Sequence, residues 1–275
     1  MSGSLAGRRV LVTGAGGFIG SHLAEALARD GAIVRAFVRY VSTGTAGWLE
    51  EAEPEVRSAI EVVRGDLVNP EAVAGAVDGT EIVFHLGALI PIPYSFKHPR
   101  EYVDANVTGT LNVLEAARRS GARVVQTSTS EVYGTAQVVP IPEEHPLVPQ
   151  SPYAASKVGS DQLALSYHRA LGLPVAVVRP FNTYGPRQSA RAVIATIATQ
   201  ALTRDVVELG ALHPTRDFVF VDDTVRGFIA AATSDAALGE VVNLGSGREI
   251  SIADLAAALL RAIGRDIPVR QAGNR

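Results

Sequence analysis

The sequence predicts an α/β architecture, a doubly wound parallel sheet carrying a smaller C-terminal lobe. Three observations predict it. Short β-branched runs recur with helical patterns between several of them, a glycine-rich turn joins the first run to the first helix, and the alternation weakens after Arg179. Strands alternating with helices call for a parallel sheet covered on both faces.

In chain order, the expected strands are RRVLVTG, AIVRAFV, IEVVRGD, EIVFHLG, RVVQTST, LPVAVVRP and EVVNLGS. Helical patterns occupy SHLAEALARDG, ANVTGTLNVLEAARRSG and PQSPYAASKVGSDQLAL. In the last of these, Ser151 followed by Pro152 reads as an N-cap with proline in the first turn, so the helix opens at Tyr153. No period of 20 to 50 residues repeats, and no low-complexity linker divides the chain. The expected division is a dinucleotide-binding Rossmann domain over residues 1–180, with strands returning from about 216–245, and a mostly substrate-binding lobe over 181–275. A crevice between lobe and sheet is the expected site.

Composition narrows the function classes. The chain has 275 residues, a formal net charge of −3 and a pI near 6.1, so it offers no basic field to a nucleic-acid backbone. It contains no cysteine, which excludes disulfides, thiolate nucleophiles and sulfur-ligated metals, and its six histidines have no metal-ligand spacing. No apolar stretch approaches the ~20 residues that span a bilayer, and none reads as a cleavable leader, so a cytoplasmic location without membrane or metal is expected.

VLVTGAGGFIGSHLAEAL sets Gly14, Gly16, Gly17 and Gly20 between the first strand and an amphipathic helix. The spacing is Gly14-x-x-Gly17-x-x-Gly20, with Ile19 where a strict G-x-G-x-x-G would carry its third glycine. Glycines permit a tight turn and close approach, and the helix N-terminus presents free N–H groups to a pyrophosphate. The acidic residue that would bind an adenosine ribose 2′-hydroxyl is missing at the end of the second strand, and Arg39 stands near its place. Arg39 is therefore either the holder of a 2′-phosphate, favouring NADP over NAD, or a solvated surface charge. Asp66 after the third strand either faces adenine or caps the next helix.

Tyr153 and Lys157, four residues apart, share a helix face. An ammonium beside a phenol lowers its pKa and makes it a base for a hydroxyl proton. Upstream, TSTSEVYG ends a strand in four hydroxyl residues followed by the carboxylate of Glu131, which read blandly is strand-end hydrogen bonding and a surface turn.

Together, the glycine loop, HLGA at 85–88, STSEVYG, Tyr153-x-x-x-Lys157 and RPFNTYGPRQ resemble the extended short-chain dehydrogenase/reductases, the NAD-dependent epimerase/dehydratase family, in the family's order and over nearly the whole chain. STSEVYG followed by NTYGPRQSARAVI and LGALHPTRDF looks most like nucleotide-sugar 4,6-dehydratases acting on N-acetylglucosamine, of the legionaminic-acid pathway type. The segment Thr129-Ser130-Glu131 also resembles GDP-mannose 4,6-dehydratase. The resemblance implies a nicotinamide cofactor held by the glycine loop with Phe18, Ile19, Leu67, Leu86, Ala88, Asn106 and Thr127, besides Tyr153 and Lys157. It implies a nucleotide-diphosphate sugar as substrate, gripped by Asn182, Arg187, Arg191 and Arg216, with Tyr94 touching the sugar. The implied roles are Tyr153 as base at carbon 4, Thr129 as its orienting hydroxyl, Glu131 as the base at carbon 5 and Ser130 as an aid to the departing water. A small apolar residue stands at the Glu131 position in the resembling epimerases, so lyase chemistry is favoured. A 4-epimerase, a UDP-uronic acid decarboxylase and a non-catalytic cofactor-binding regulator stay open. A homodimer paired through the segments 103–119 and 153–171 is also implied. The resembling dehydratases continue for some tens of residues past IPVRQAGNR with an Arg-Pro segment that helps hold the nucleotide, and Gly87 stands where alanine is commoner.

Overall fold

A computed structural model describes residues 5–272. The first unit runs through Pro180 and resumes at Asp222–Leu244; the second comprises Phe181–Val221 and the segment from Gly245 onward.

Up to Pro180 the elements are β1 (Arg9–Thr13), α1 (Phe18–Arg29), β2 (Ile33–Arg39), α2 (Pro54–Ser58), β3 (Ile60–Gly65), α3 (Pro70–Val77), β4 (Ile82–His85), α4 (Ile92–Lys97) and α5 (Pro99–Tyr102). A π-helical turn over Val103–Thr108 leads into α6 (Gly109–Ser120), followed by β5 (Arg123–Thr127), a 3-10 turn at Ser130–Tyr133, α7 (Pro152–Leu171) and β6 (Val175–Pro180). The rest of the chain forms β7 (Asn182–Tyr184), α8 (Val193–Thr203), β8 (Val207–Leu209), β9 (Thr215–Arg216), β10 (Phe218–Phe220), α9 (Val221–Thr233), β11 (Val241–Leu244), β12 (Ile250–Ser251), α10 (Ile252–Ile263) and β13 (Val269–Gln271).

Seven strands make one parallel sheet in the order β11-β6-β5-β4-β1-β2-β3. All seven runs expected as strands are in it. The strands read as near-continuous apolar runs because both faces are covered. Val10 and Val12 of β1 pack with Leu23 and Leu27 of α1 and Phe228 of α9, whereas Leu11 faces Val113 and Leu114 of α6 and Leu165 of α7. Strand order reverses between β1 and β4, the place where such sheets open a ligand crevice at their carboxyl ends. Every catalytic candidate named above follows β5 or lies on α7, at that edge.

The second unit builds its own core from Ile197 and Ala201 of α8 against Leu255, Ala256 and Leu260 of α10. Its strands pair only in twos, β7 with β10, β8 with β13 and β9 with β12. Among the described residues no helix is long and apolar enough to cross a membrane.

Candidate active site

Two backbones meet where β1 and β4 end. A Cβ on Gly14, at φ +68°, would lie 2.8 Å from the backbone of Gly87, so only glycine fits. Gly20 is equally constrained, since a side chain there would strike the carbonyl of Gly14. The helix that follows has Gly17 as its N-cap with no side-chain cap, which keeps its first turn open to an external acceptor. A cavity of about 310 Å³ opens beside this junction, lined among others by Gly14, Arg39, Asp66, Leu67, Ala88 and Glu101. Five cofactor candidates thus share one cavity.

Asp66 does not cap the next helix. Its Oδ1 accepts from Val68 N at 3.1 Å, and Asn69 caps α3 by accepting from Ala72 N. Its other oxygen stands 3.6 Å from Arg39 Nε, so the exposed guanidinium already has an anionic partner.

Beneath the junction lies a directed hydrogen-bond chain. Thr110 Oγ1 donates to the Asn106 carbonyl at 2.6 Å, which commits its proton, so it accepts from His85 Nε2 at 3.1 Å. Nδ1 of His85 is then bare and accepts from Thr13 Oγ1 at 2.8 Å, while Gly87 N donates to that same hydroxyl at 3.0 Å. Burial, with the Lys157 charge, pushes His85 down to about 3, so the ring stays neutral as the chain requires. Asn106, in the π-helical turn, accepts from Leu89 N at 2.8 Å and donates to Leu89 O and to Ser156 Oγ, each at 2.9 Å. Its amide is thus engaged by the protein itself and braces the loop after β4 against α7, a different job from direct cofactor contact. Losing it would leave buried backbone groups unpaired, at a cost of about 1–3 kcal/mol each.

The catalytic candidates converge from β5 and α7. Ser151 accepts from Ala154 N at 3.1 Å and Pro152 starts α7, which puts Tyr153 in the first turn and Lys157 one turn on, both buried. After β5, each hydroxyl residue does something different. Thr127 Oγ1 is buried without a partner among the described residues. Ser128 Oγ donates to Asp161 Oδ2 at 2.6 Å. Thr129 caps the 3-10 turn, its hydroxyl accepting from Glu131 N at 3.2 Å. Ser130 opens that turn, and Glu131 sits half-buried within it.

Charges here depart from expectation. Tyr153 is pushed up to about 12 by burial, relieved by a hydrogen bond with Thr129 and reinforced by Glu131 and Asp161. Lys157 donates to the Thr127 carbonyl and is pushed down to about 8 by burial, against the pull of Asp161. A phenol depressed by Lys157 is therefore corrected: burial raises it, and the relief comes from Thr129. Asp161 and Arg179, both fully buried, pair at 3.2 Å. Arg179 Nη1 donates to Tyr133 OH at 2.9 Å, and that hydroxyl donates to Asn243 Oδ1 at 2.7 Å. Removing one partner of such a pair typically costs about 3–5 kcal/mol. His85, Asp161 and Arg179 were missed in the sequence, although His85 stands in HLGA and Asp161 follows Lys157 by one turn.

Tyr94, on α4, donates to Glu101 Oε2 at 3.0 Å and stacks on His98 with ring centroids 4.5 Å apart. In the second unit, Asn182 begins β7 and its backbone N donates to Asp217 O. Arg187 takes φ +69°, Arg191 is exposed, and Arg216 on β9 donates to the Thr215 carbonyl at 2.7 Å.

The family model described as GDP-mannose 4,6 dehydratase matches residues 11–274. A dTDP-glucose 4,6-dehydratase of Actinoplanes sp. is 37% identical over 263 residues, spanning 93% of this chain and 82% of that protein. A UDP-glucose 4-epimerase of Mycolicibacterium smegmatis is 38% identical over 263 residues, covering 93% and 83%. Among solved structures, a dTDP-glucose 4,6-dehydratase from Streptomyces venezuelae with NAD bound superposes with a TM-score of 0.85 at 33% identity, covering 97% of this chain and 85% of that one.

The glycine cradle, the cavity and the orphaned Thr127 hydroxyl fit a nicotinamide dinucleotide. Replacing Thr127 by valine removes a buried hydroxyl with no partner, so the melting temperature of the cofactor-free protein is expected to hold or rise. NAD affinity by calorimetry is expected to fall about 5- to 10-fold, the loss of one hydrogen bond. A lowered melting temperature with intact affinity would contradict this assignment.

Proposed function

Because the chain belongs to the GDP-mannose 4,6-dehydratase family within the extended short-chain dehydrogenase/reductases, we propose that it is a nucleotide-sugar 4,6-dehydratase and so a lyase. One observation carries the choice: the Glu131 carboxylate, half-buried in the turn capped by Thr129, is close enough to Tyr153 for its charge to act on the phenol. A 4-epimerase, the activity named for one relative, requires no such carboxylate.

A bound nicotinamide supplies the hydride acceptor and donor, and in its oxidised form a positive charge. Tyr153, aligned by Thr129, takes the proton of the carbon 4 hydroxyl, and the Lys157 ammonium supports the phenolate that this requires. The resulting ketone acidifies the carbon 5 proton, which Glu131 removes. Water leaves carbon 6, with Ser130 or protonated Glu131 assisting; the bound nicotinamide would then supply hydride to carbon 6, and carbon 5 would regain a proton from a solvent-exchanging group. Asn182, Arg187, Arg191 and Arg216 are proposed to grip the nucleotide diphosphate, because guanidinium forks suit phosphate oxygens.

NAD is the proposed cofactor. The Streptomyces venezuelae neighbour holds NAD, and the lean toward NADP has no support there. Arg39 is already paired with Asp66, and Glu101 and Asp104 add two carboxylates to the cavity wall that oppose a 2′-phosphate. A homodimer is proposed because Val103 and Leu111 stay exposed along one face of the segment 103–119, with Phe96 exposed nearby in sequence.

Calorimetry is expected to show NAD binding at least as tightly as NADP, with Arg39→Ala leaving their ratio in place; an NADP preference of about tenfold or more that Arg39→Ala abolishes would reverse this. Sedimentation at micromolar concentration is expected to give a dimer, and a monomer alone would remove that claim. In single turnover, Glu131→Gln is expected to complete the first oxidation and then stall, so reduced nicotinamide accumulates. Tyr153→Phe is expected to lose even that oxidation, since a missing general base costs ~10²- to 10⁴-fold. Dehydrated product released by Glu131→Gln at the parent rate would reduce Glu131 to a turn residue.

A further inference from the structure

Asp161 lies one turn beyond Lys157 on α7 and is fully buried. Oδ2 accepts from Ser128 Oγ at 2.6 Å and from Arg179 Nε and Nη2 at 3.3 and 3.2 Å; Oδ1 is buried with no partner. The dehydration chemistry gives this carboxylate nothing to do. Such a group costs a great deal to desolvate, and a core built only for packing would hold an apolar side chain there.

We propose that Asp161 is a positioning residue of the active site: its carboxylate keeps Lys157 in the ammonium form and, through Ser128, holds the strand end from which Thr129 projects. The proposal rests on the reading of Tyr153 and Lys157 as the pair that oxidises a sugar hydroxyl. Burial alone drives Lys157 toward the neutral amine. From β5, only the Thr127 carbonyl is seen to accept from Lys157. From β4, the nearby His85 is neutral, fixed by Thr13 and Thr110. From β6, Arg179 bonds Oδ2 of Asp161, and on α7 itself Tyr153 is held protonated by burial. Glu131 acts on Tyr153. Burial pushes the Asp161 carboxyl up, and Arg179, the Ser128 hydrogen bond and Lys157 pull it back toward the charged form in which it acts on Lys157. The carboxylate is therefore shared between two cations. Its second cation, Arg179, reaches on to Tyr133 and so pins the far end of the turn carrying Glu131. A purely structural Asp161 would anchor Ser128 and Arg179 equally well and leave the charge of Lys157 alone, which separates the two roles.

The chain contains only two lysines, Lys97 and Lys157. Protein labelled with ε-13C lysine therefore gives two side-chain resonances, assigned by Lys97→Arg, whose titration is read in the cofactor-free protein. Lys157 is expected to titrate near 8 in the parent. In Asp161→Asn its midpoint is expected at least about one pH unit lower, since loss of an opposite charge destabilises the ammonium. Ser128→Ala, which keeps the charge, is expected to leave the midpoint in place. In turnover, the alkaline limb of the hydride-transfer rate is expected to move down with the Lys157 midpoint in Asp161→Asn. An unmoved midpoint in folded Asp161→Asn overturns the proposal. Should that variant not fold, because Arg179 is left without its counter-charge, the double variant Asp161→Asn with Arg179→Gln decides. With both charges gone and the more closely coupled one an anion, the Lys157 midpoint is expected below the parent's, and a midpoint that stays or rises overturns the proposal. If the parent removes water from no nucleotide sugar, the dehydratase reading fails, while the lysine titration still decides the role of Asp161.

Discussion

The close contact of Gly14 with Gly87 is the constraint on which the rest depends. Without a side chain at Gly14, β1 and β4 can end against each other at the reversal of strand order, and Gly87 N can reach the Thr13 hydroxyl. That hydroxyl is the first member of the chain through His85 and Thr110 to Asn106, and Asn106 in turn fastens Ser156, whose hydroxyl donates to the Tyr153 carbonyl at 2.7 Å. The cofactor cradle and the catalytic helix are thus tied by one series of buried hydrogen bonds. In a low-dielectric interior such a series is stiff when complete and costly when interrupted.

A second polar system, Asp161 with Arg179, Ser128 and Tyr133, secures the other side of the same strand end. Between the two systems lie the Tyr153 phenol and the Lys157 ammonium, each moved by burial away from its solution behaviour, the phenol upward and the ammonium downward. Desolvation disfavours the charged form of both, so the phenol is held protonated at rest while Lys157, near 8, keeps most of its charge at neutral pH. Thr129 relieves the phenol and Asp161 the amine. The positive charge of an oxidised nicotinamide would favour the phenolate as well, which gives a physical reason for a base that forms only when the site is loaded.

Much of this was legible in the sequence because it is local. Alternating runs and the glycine turn predicted the seven-stranded sheet, and Ser151 with Pro152 placed Tyr153 and Lys157 on one helix face. The π-helical turn at Val103–Thr108 was not legible: the segment reads as continuous helix, and the turn accompanies tertiary bonds of Asn106 to Leu89 and Ser156. The two- and three-residue strands of the second unit are too short to carry a period, and their pairing joins residues more than thirty positions apart. The Lys157–Thr127 contact escaped for the same reason, since helix spacing suggests Tyr153 as the partner while the carbonyl that accepts its hydrogen bond lies 30 positions upstream. In TSTSEVYG the hydroxyl of Thr129 both caps a turn and hydrogen-bonds Tyr153.

The central claim is that this arrangement of Thr129, Glu131, Tyr153 and Lys157 drives elimination rather than simple inversion. Mass spectrometry after incubation of nucleotide-activated hexoses and N-acetylhexosamines in deuterated water tests it most directly. The account predicts a product that has lost one water and carries solvent deuterium at carbon 5. A product of unchanged mass inverted at carbon 4, or one that has lost carbon dioxide, would contradict it.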